Sequence, residues 1–234
     1  MPASRDDVWR PGPLHPLLAQ DAVDVWRADL AKVGADLDEL LHGDEHVRAE
    51  RFVRARDGEL WRRSRGLLRE LLGRYLRRDP RSLRFVVGAH GKPALADDTP
   101  PRLAFNMSHS GELALYAFSA AGAVGVDVET SRRAIDEVAI AARTLGAADA
   151  ERLQSLPPSA RRQEFLRLWT RYEAELKCLG LGIGGADAIA GELSPVTREL
   201  ELGPETGGAV ATERAARELC CWEWQDATWL LRNC

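Results

Sequence analysis

Gly125-Val126-Asp127-Val128-Glu129, taken with Trp169-Thr170-Arg171-Tyr172-Glu173-Ala174-Glu175-Leu176-Lys177, decides how this chain is built. The first run is β-branched at alternate positions and predicts a strand. Successive strand side chains alternate faces, so Asp127 and Glu129 share one face while Val126 and Val128 share the other. The second run is helical, and Glu173 and Lys177, four positions apart, stack on one side of the helix. Where such a strand and helix meet, three hard oxygen ligands and one cation surround a point. That is equipment for holding a magnesium ion against a phosphate ester. Each half also has an ordinary reading: paired carboxylates occur on exposed sheets, and a surface Glu/Lys pair is worth ~0.2–0.5 kcal/mol. Adjacent carboxylates repel, however, and stay ionised at low cost only beside a cation.

Working outward, strands are expected over 21–30, 83–87, 103–107, 113–119 and 124–129. Helices are expected over 59–77, with Asp57 as cap, and over 135–142, 147–154 and 160–179. Asp79-Pro80 and Pro157-Pro158 act as breaks. The glycine- and proline-rich stretch after Gly180 reads as loop, closed by a hairpin of 219–224 with 228–231. The fold class is α+β. The chain divides into similar halves, 1–120 and 121–234, each with strands and a long amphipathic helix.

With 45% hydrophobic and 29% charged residues, the 234-residue chain has ordinary globular composition. No apolar run approaches the roughly 20 residues a membrane span needs, and the N-terminus lacks a secretory pattern. A cytoplasmic location follows. The four cysteines form no C-x-x-C pair, so reduced thiols are expected. Net charge is −4, yet residues 48–84 carry thirteen arginines against five acids. That surplus suits a polyanionic ligand, although an arginine-rich helix more often shows its guanidinium groups to water. No nucleic-acid motif accompanies it, and neither nucleic acid nor membrane is an expected partner. Only three lysines occur, Lys32, Lys92 and Lys177, and two of them fall inside motifs.

Two further motifs precede the carboxylate strand. Gly91-Lys92-Pro93 offers a point charge for phosphate, or a solvated turn lysine. Phe105-Asn106-Met107-Ser108-His109-Ser110 offers hydroxyls, an imidazole and turn amides for phosphate oxygens, or a polar hairpin turn.

In order and spacing, the four motifs together resemble the 4′-phosphopantetheinyl transferase superfamily, in its large, surfactin-synthetase-activating type. The family pattern is G-K-P, F-N-x-S-H-S, G-[IV]-D-[IV]-E and W-[ST]-x-K-E-[AS]-x-x-K-x-x-G. It is matched by Gly91 to Pro93, Phe105 to Ser110, Gly125 to Glu129, and Trp169, Thr170, Glu173, Ala174, Lys177 and Gly180. The resemblance spans roughly Arg48 to Gly184. The one departure is Tyr172, where the pattern has lysine. The resemblance implies a pseudo-two-fold α+β chain, each half a small, mainly antiparallel sheet packed with a long helix, and a coenzyme A cleft between the halves. It implies transfer of 4′-phosphopantetheine from coenzyme A to a serine of an apo acyl or peptidyl carrier protein, with adenosine 3′,5′-bisphosphate leaving. Asp127, Glu129 and Glu173 would hold Mg²⁺ (Mn²⁺ as an alternative), and Glu173 and Lys177 would be catalytic. Ser108, His109, Lys92 and Arg48 would contact the nucleotide phosphates. The carrier would dock along 132–162, and the enzyme is expected to be a monomer. Tyr172 keeps a second reading open: a weakened homologue that still binds coenzyme A or carrier.

Overall fold

Side-chain parity in the central strands sets the layering. The computed structural model describes residues 8–88, 90–96, 103–131, 135–182 and 194–226. Its first sheet runs, in spatial order, β1 (Arg10–Pro11), β10 (Glu218–Glu223), β2 (Ala22–Asp29), β6 (Leu113–Ser119) and β5 (Ala104–Ser110). Trp26, Ala28, Tyr116 and Phe118 face helix α2 (Ala55–Leu76), where Leu67, Leu68, Leu71 and Leu72 meet them. Each such fully buried leucine contributes roughly 1.5–3 kcal/mol. Val23, Val25, Leu115 and Ala117 have the opposite parity. They pack on Val124, Val126, Val128 and Val210 of a second, antiparallel sheet, ordered β7 (Val124–Thr130), β9 (Thr206–Thr212) and β8 (Val196–Glu199). Helix α5 (Pro158–Leu179) covers the outer face of that sheet, with Ala174 and Cys178 on Ala209 and Ala211. The layers are therefore helix, sheet, sheet, helix. Two helices of 22 residues each back one sheet apiece, the α+β, two-halved arrangement that was expected. Helices α1 (Gly43–Glu50), α3 (Glu137–Thr144) and α4 (Ala147–Gln154) and a small hairpin of β3 (Phe85–Val87) with β4 (Pro93–Leu95) complete the described elements.

Several local expectations give way. Helix α2 starts at Ala55, so Asp57 is a first-turn acid at the positive helix end and not its cap. The stretch after Gly191 contains β8 and β9, not only loop. Its Gly207 marks a close approach: a Cβ there would lie 2.7 Å from the Leu166 carbonyl of α5. The segment expected to close as a C-terminal hairpin instead forms β10, which runs parallel to both β1 and β2. Its supposed partner, 228–231, lies outside the described residues.

The arginine surplus is largely absorbed within the molecule. Arg65 and Arg69 both reach Glu45 of α1, Arg62 reaches Asp38, and Arg63 and Arg74 pair with Glu59 and Glu70 one turn earlier. Arg69 is only 2% exposed and also donates to the carbonyls of Pro80 and Leu83. Ion pairing, not hydration alone, explains this helix's composition.

Candidate active site

The two halves meet where β5 lies alongside β7, and the contacts are made by side chains. On β5, Asn106, Ser108 and Ser110 share one face by strand alternation. Asn106 Oδ1 accepts the Val126 amide at 2.9 Å. Ser108 Oγ donates to Asp127 Oδ1 at 2.8 Å. Ser110 Oγ donates to Glu129 Oε2 at 2.9 Å and accepts the Thr130 amide at 3.1 Å. Phe105 and Met107 have the opposite parity and enter the α2 core. The Ser-His-Ser stretch is thus neither a hairpin turn nor a phosphate loop. It continues the strand, and the turn comes at Gly111, with φ +61°.

From the other side, α5 delivers Lys177, whose Nζ lies 2.5 Å from Asp127 Oδ1 and 3.0 Å from Ser108 Oγ. This close approach depends on Gly125, where a Cβ would fall 2.1 Å from the Ala174 carbonyl oxygen of α5. Glu173, one turn before Lys177, is half-buried. Burial pushes its carboxyl above the ordinary range, and the charges of Asp127 and Glu129 add to that while Lys177 opposes it. Glu129 is raised as well, by burial and by Asp127, against the Ser110 hydrogen bond and Lys177. The carboxylate strand and the Glu173/Lys177 helix do lie against one another, joined by Lys177 on Asp127.

The donor chemistry fits a hard divalent cation. All three candidates are carboxylates, and Asp127 Oδ2 is a buried oxygen with no hydrogen-bond partner, the kind of acceptor that a cation satisfies. Among the described residues, the side chains do not converge into a ready cluster of three ligands. The Lys177 ammonium supplies the positive charge beside Asp127.

The remaining predicted contacts separate. His109 lies on the exposed side of β5, toward α2. Burial by the cleft walls lowers its pKa and Lys177 lowers it further, while the Gly111 backbone and Asp57 oppose this. Arg48 is exposed on α1, its guanidinium 5.6 Å from the centre of the Trp61 ring, in a hollow that shares Phe52 with the main cleft. Lys92 requires correction. Its Nζ donates to the carbonyls of Val124, Lys177 and Cys178 at 2.9, 2.6 and 3.4 Å. An ammonium has three N–H donors, and all are used in tying the C-terminal end of α5 to β7. Lys92 is neither a solvated turn lysine nor a phosphate contact.

Beside the seam opens a cleft of about 700 Å³ between α2 and the second half, with Glu129 and Ser110 at its polar side and Leu60, Ile135, Phe165 and Trp169 on its apolar wall. Phe165 and Trp169 stack with ring centres 5.9 Å apart, and Tyr172 follows 6.1 Å from Trp169. The residue in place of the pattern's lysine therefore extends an aromatic ladder along α5. Sequence reading missed the roles of Ser110 and Asn106. The signal was partly present, since Asn106 and Ser108 alternate with the apolar Phe105 and Met107, but His109 interrupts the pattern before Ser110.

Comparison with known proteins agrees with this geometry. A family model described as the N-terminal part of 4′-phosphopantetheinyl transferase matches residues 25–121, and one for the 4′-phosphopantetheinyl transferase superfamily matches 123–226. The chain is 36% identical over 191 residues to the 4′-phosphopantetheinyl transferase HetI of Nostoc sp., covering 80% of this chain and 81% of that protein. It is 36% identical over 146 residues to a putative 4′-phosphopantetheinyl transferase of Synechocystis sp., covering 62% and 59%. It is 30% identical over 170 residues to the human L-aminoadipate-semialdehyde dehydrogenase-phosphopantetheinyl transferase, covering 68% and 55%. With the carboxylate strand, the Glu173/Lys177 helix and the serine seam all in the matched regions, the chain belongs to the 4′-phosphopantetheinyl transferase superfamily.

Proposed function

We propose that this enzyme transfers 4′-phosphopantetheine from coenzyme A to a serine hydroxyl of an apo acyl or peptidyl carrier protein, as a holo-[carrier-protein] synthase. The serine oxygen forms the new bond to the pantetheine-linked phosphorus. The bond from that phosphorus to the bridging oxygen breaks, and adenosine 3′,5′-bisphosphate leaves. The observation that carries the reading is the cluster at the seam: Asp127 held by Ser108 and Lys177, with Asp127 close enough to raise the carboxyl groups of both Glu173 and Glu129.

Glu173 is the proposed general base. A carboxylate raised toward the working pH is a better proton acceptor than an ordinary one. Lys177 places its ammonium where negative charge develops on the phosphates. His109 is proposed to hydrogen-bond nucleotide phosphate oxygens through its imidazole, and Arg48 is proposed to meet the 3′-phosphate; Ser108, whose one proton is given to Asp127, keeps a role on that carboxylate instead. Asp127, Glu129 and Glu173 are the residues that would hold Mg²⁺, or Mn²⁺ in its place. A bound cation of this kind neutralises charge on the pyrophosphate. No role on phosphate is kept for Lys92.

The finer reading is the large, surfactin-synthetase-activating type, working as a cytoplasmic monomer with its halves divided at 120/121. Support comes from the tandem of two matched segments in one chain. The carrier is proposed to dock along 132–162. In that segment Ile135 is 39% exposed at the cleft rim, while Arg132 and Arg133 lie outside the described residues.

Mass spectrometry tests the reaction. Incubation with coenzyme A, Mg²⁺ and a panel of apo carriers should add one phosphopantetheine mass to at least one of them. Coenzyme A binding without any adduct on several carriers would instead favour the weakened homologue that Tyr172 suggests. Replacing Tyr172 by lysine should then restore the adduct.

A further inference from the structure

We infer that Ser110 is a positioning residue that sets the Glu129 carboxylate from the opposite half of the molecule. The inference rests on the transferase reading above, and deepens it. A serine hydroxyl has one proton to give and two lone pairs to offer. Ser110 Oγ lies 2.9 Å from Glu129 Oε2, 3.1 Å from the Thr130 amide nitrogen and 3.1 Å from Thr130 Oγ1. With its proton on the carboxylate, both lone pairs are taken by the Thr130 amide and hydroxyl. All three bonding directions are then fixed by residues of β7. A hydroxyl so saturated has one rotamer, and Glu129 is oriented by it.

Ser108 does the same for Asp127 one pleat earlier, where Lys177 donates to the same serine oxygen. The acids belong to β7 and the orienting hydroxyls to β5. Ligand geometry therefore depends on the seam, and neither half positions its carboxylates alone. Residues that orient ligating groups commonly change metal affinity by 10–100-fold when removed.

Mn²⁺ binding followed by electron paramagnetic resonance, with coenzyme A present and carrier absent, tests this without turnover. Ser110→Ala should weaken Mn²⁺ binding roughly tenfold or more and leave the Kd for coenzyme A, measured by calorimetry without metal, within about twofold. Ser110→Thr, which keeps the hydroxyl on a strand-compatible side chain, should recover most of the loss. Thr130→Val keeps the amide bond to Ser110 but removes the hydroxyl, and should show a smaller loss in the same direction. It serves as the second arm should Ser110→Ala fold poorly in thermal melts. Unchanged Mn²⁺ affinity in folded Ser110→Ala or, where that variant does not fold, in Thr130→Val, or no recovery with Ser110→Thr, overturns the inference while leaving the transferase intact. Absence of Mn²⁺ uptake by the unaltered enzyme overturns the metal reading and the inference together.

Discussion

Asp127 has one oxygen shared by a hydroxyl and an ammonium and another that is buried with no donor. This asymmetry was partly legible in the sequence. Alternation puts Asp127 and Glu129 on one side of a strand, and helical spacing puts Glu173 above Lys177. No spacing rule says that Ser108 joins Asp127 or that Lys92 is used up on three carbonyls, because those contacts span long separations in sequence. Glu173→Gln removes the proposed base at nearly constant shape. It should lower kcat roughly 10²–10⁴-fold, with coenzyme A affinity largely kept in calorimetry; near-normal turnover would reject the role. A second residue-scale test concerns stability. Burial raises the Glu45 carboxyl, but the His42 amide and the Arg65 and Arg69 guanidinium groups outweigh that and hold it below its ordinary value. A carboxylate with a lowered folded pKa contributes stability above its unfolded pKa of about 4.5 and loses it as pH falls through the folded pKa. Glu45→Gln leaves the buried Arg69 without its counter-charge and should cost about 3–5 kcal/mol in urea unfolding at pH 7. The gap to the unaltered protein should narrow below pH ~4.

At the scale of elements, long amphipathic segments were readable and close backbone approaches were not. Helices α2, α4 and α5 follow from apolar periodicity, proline breaks and the stop at Gly180, which takes the left-handed conformation at φ +70°. Strand β9 was hidden because Gly207-Gly208 looks like loop chemistry. In the fold the missing side chain of Gly207 lets α5 lie close on the sheet, and that of Gly208 leaves room for Leu202. Gly125 is the same device at the active site: its added Cβ would meet both the Ala174 carbonyl and the Cys178 amide, at 2.1 and 2.3 Å. Backbone cannot move aside as a flexible side chain can, so Gly125→Ala must lift α5 from β7. Overpacking of this kind typically costs ~1–3 kcal/mol, and here it also draws Glu173 and Lys177 away from Asp127. Gly125→Ala should lower the melting temperature and reduce kcat more than tenfold, as a misplacement of reacting groups does. A variant with lowered stability but unchanged kcat would show that the helix holds its catalytic face independently of that contact.

For the whole molecule, the question is whether the proposed halves are separate folding units. Apolar patterning gives each half a sheet and a helix, yet β10, from the end of the second half, lies between β1 and β2 and pairs along the full length of Ala22 to Arg27. Leu219 and Cys221 of β10 sit in the core shared by the two sheets, with Val25, Val126 and Val210. The N-terminal segment crosses in the same way, since the Trp9 indole donates to the Glu201 carbonyl at 2.7 Å. A fragment ending at residue 120 would expose the β2 edge as unpaired amides and carbonyls, together with the Val23, Val25, Leu115 and Ala117 face of its sheet. Exposed edges and apolar faces of that kind drive aggregation. Expressed alone, residues 1–120 should be insoluble or lack native amide protection in hydrogen exchange. Co-expressed with 121–234, they should be recovered as a soluble complex, because β10 and the β7 face then restore both missing partners. Since Ser108 and Asp127 would come from different fragments, that complex should regain carrier modification only in proportion to its assembly. A soluble, protected 1–120 fragment would instead show that the crossing strand adds to a unit already able to fold by itself.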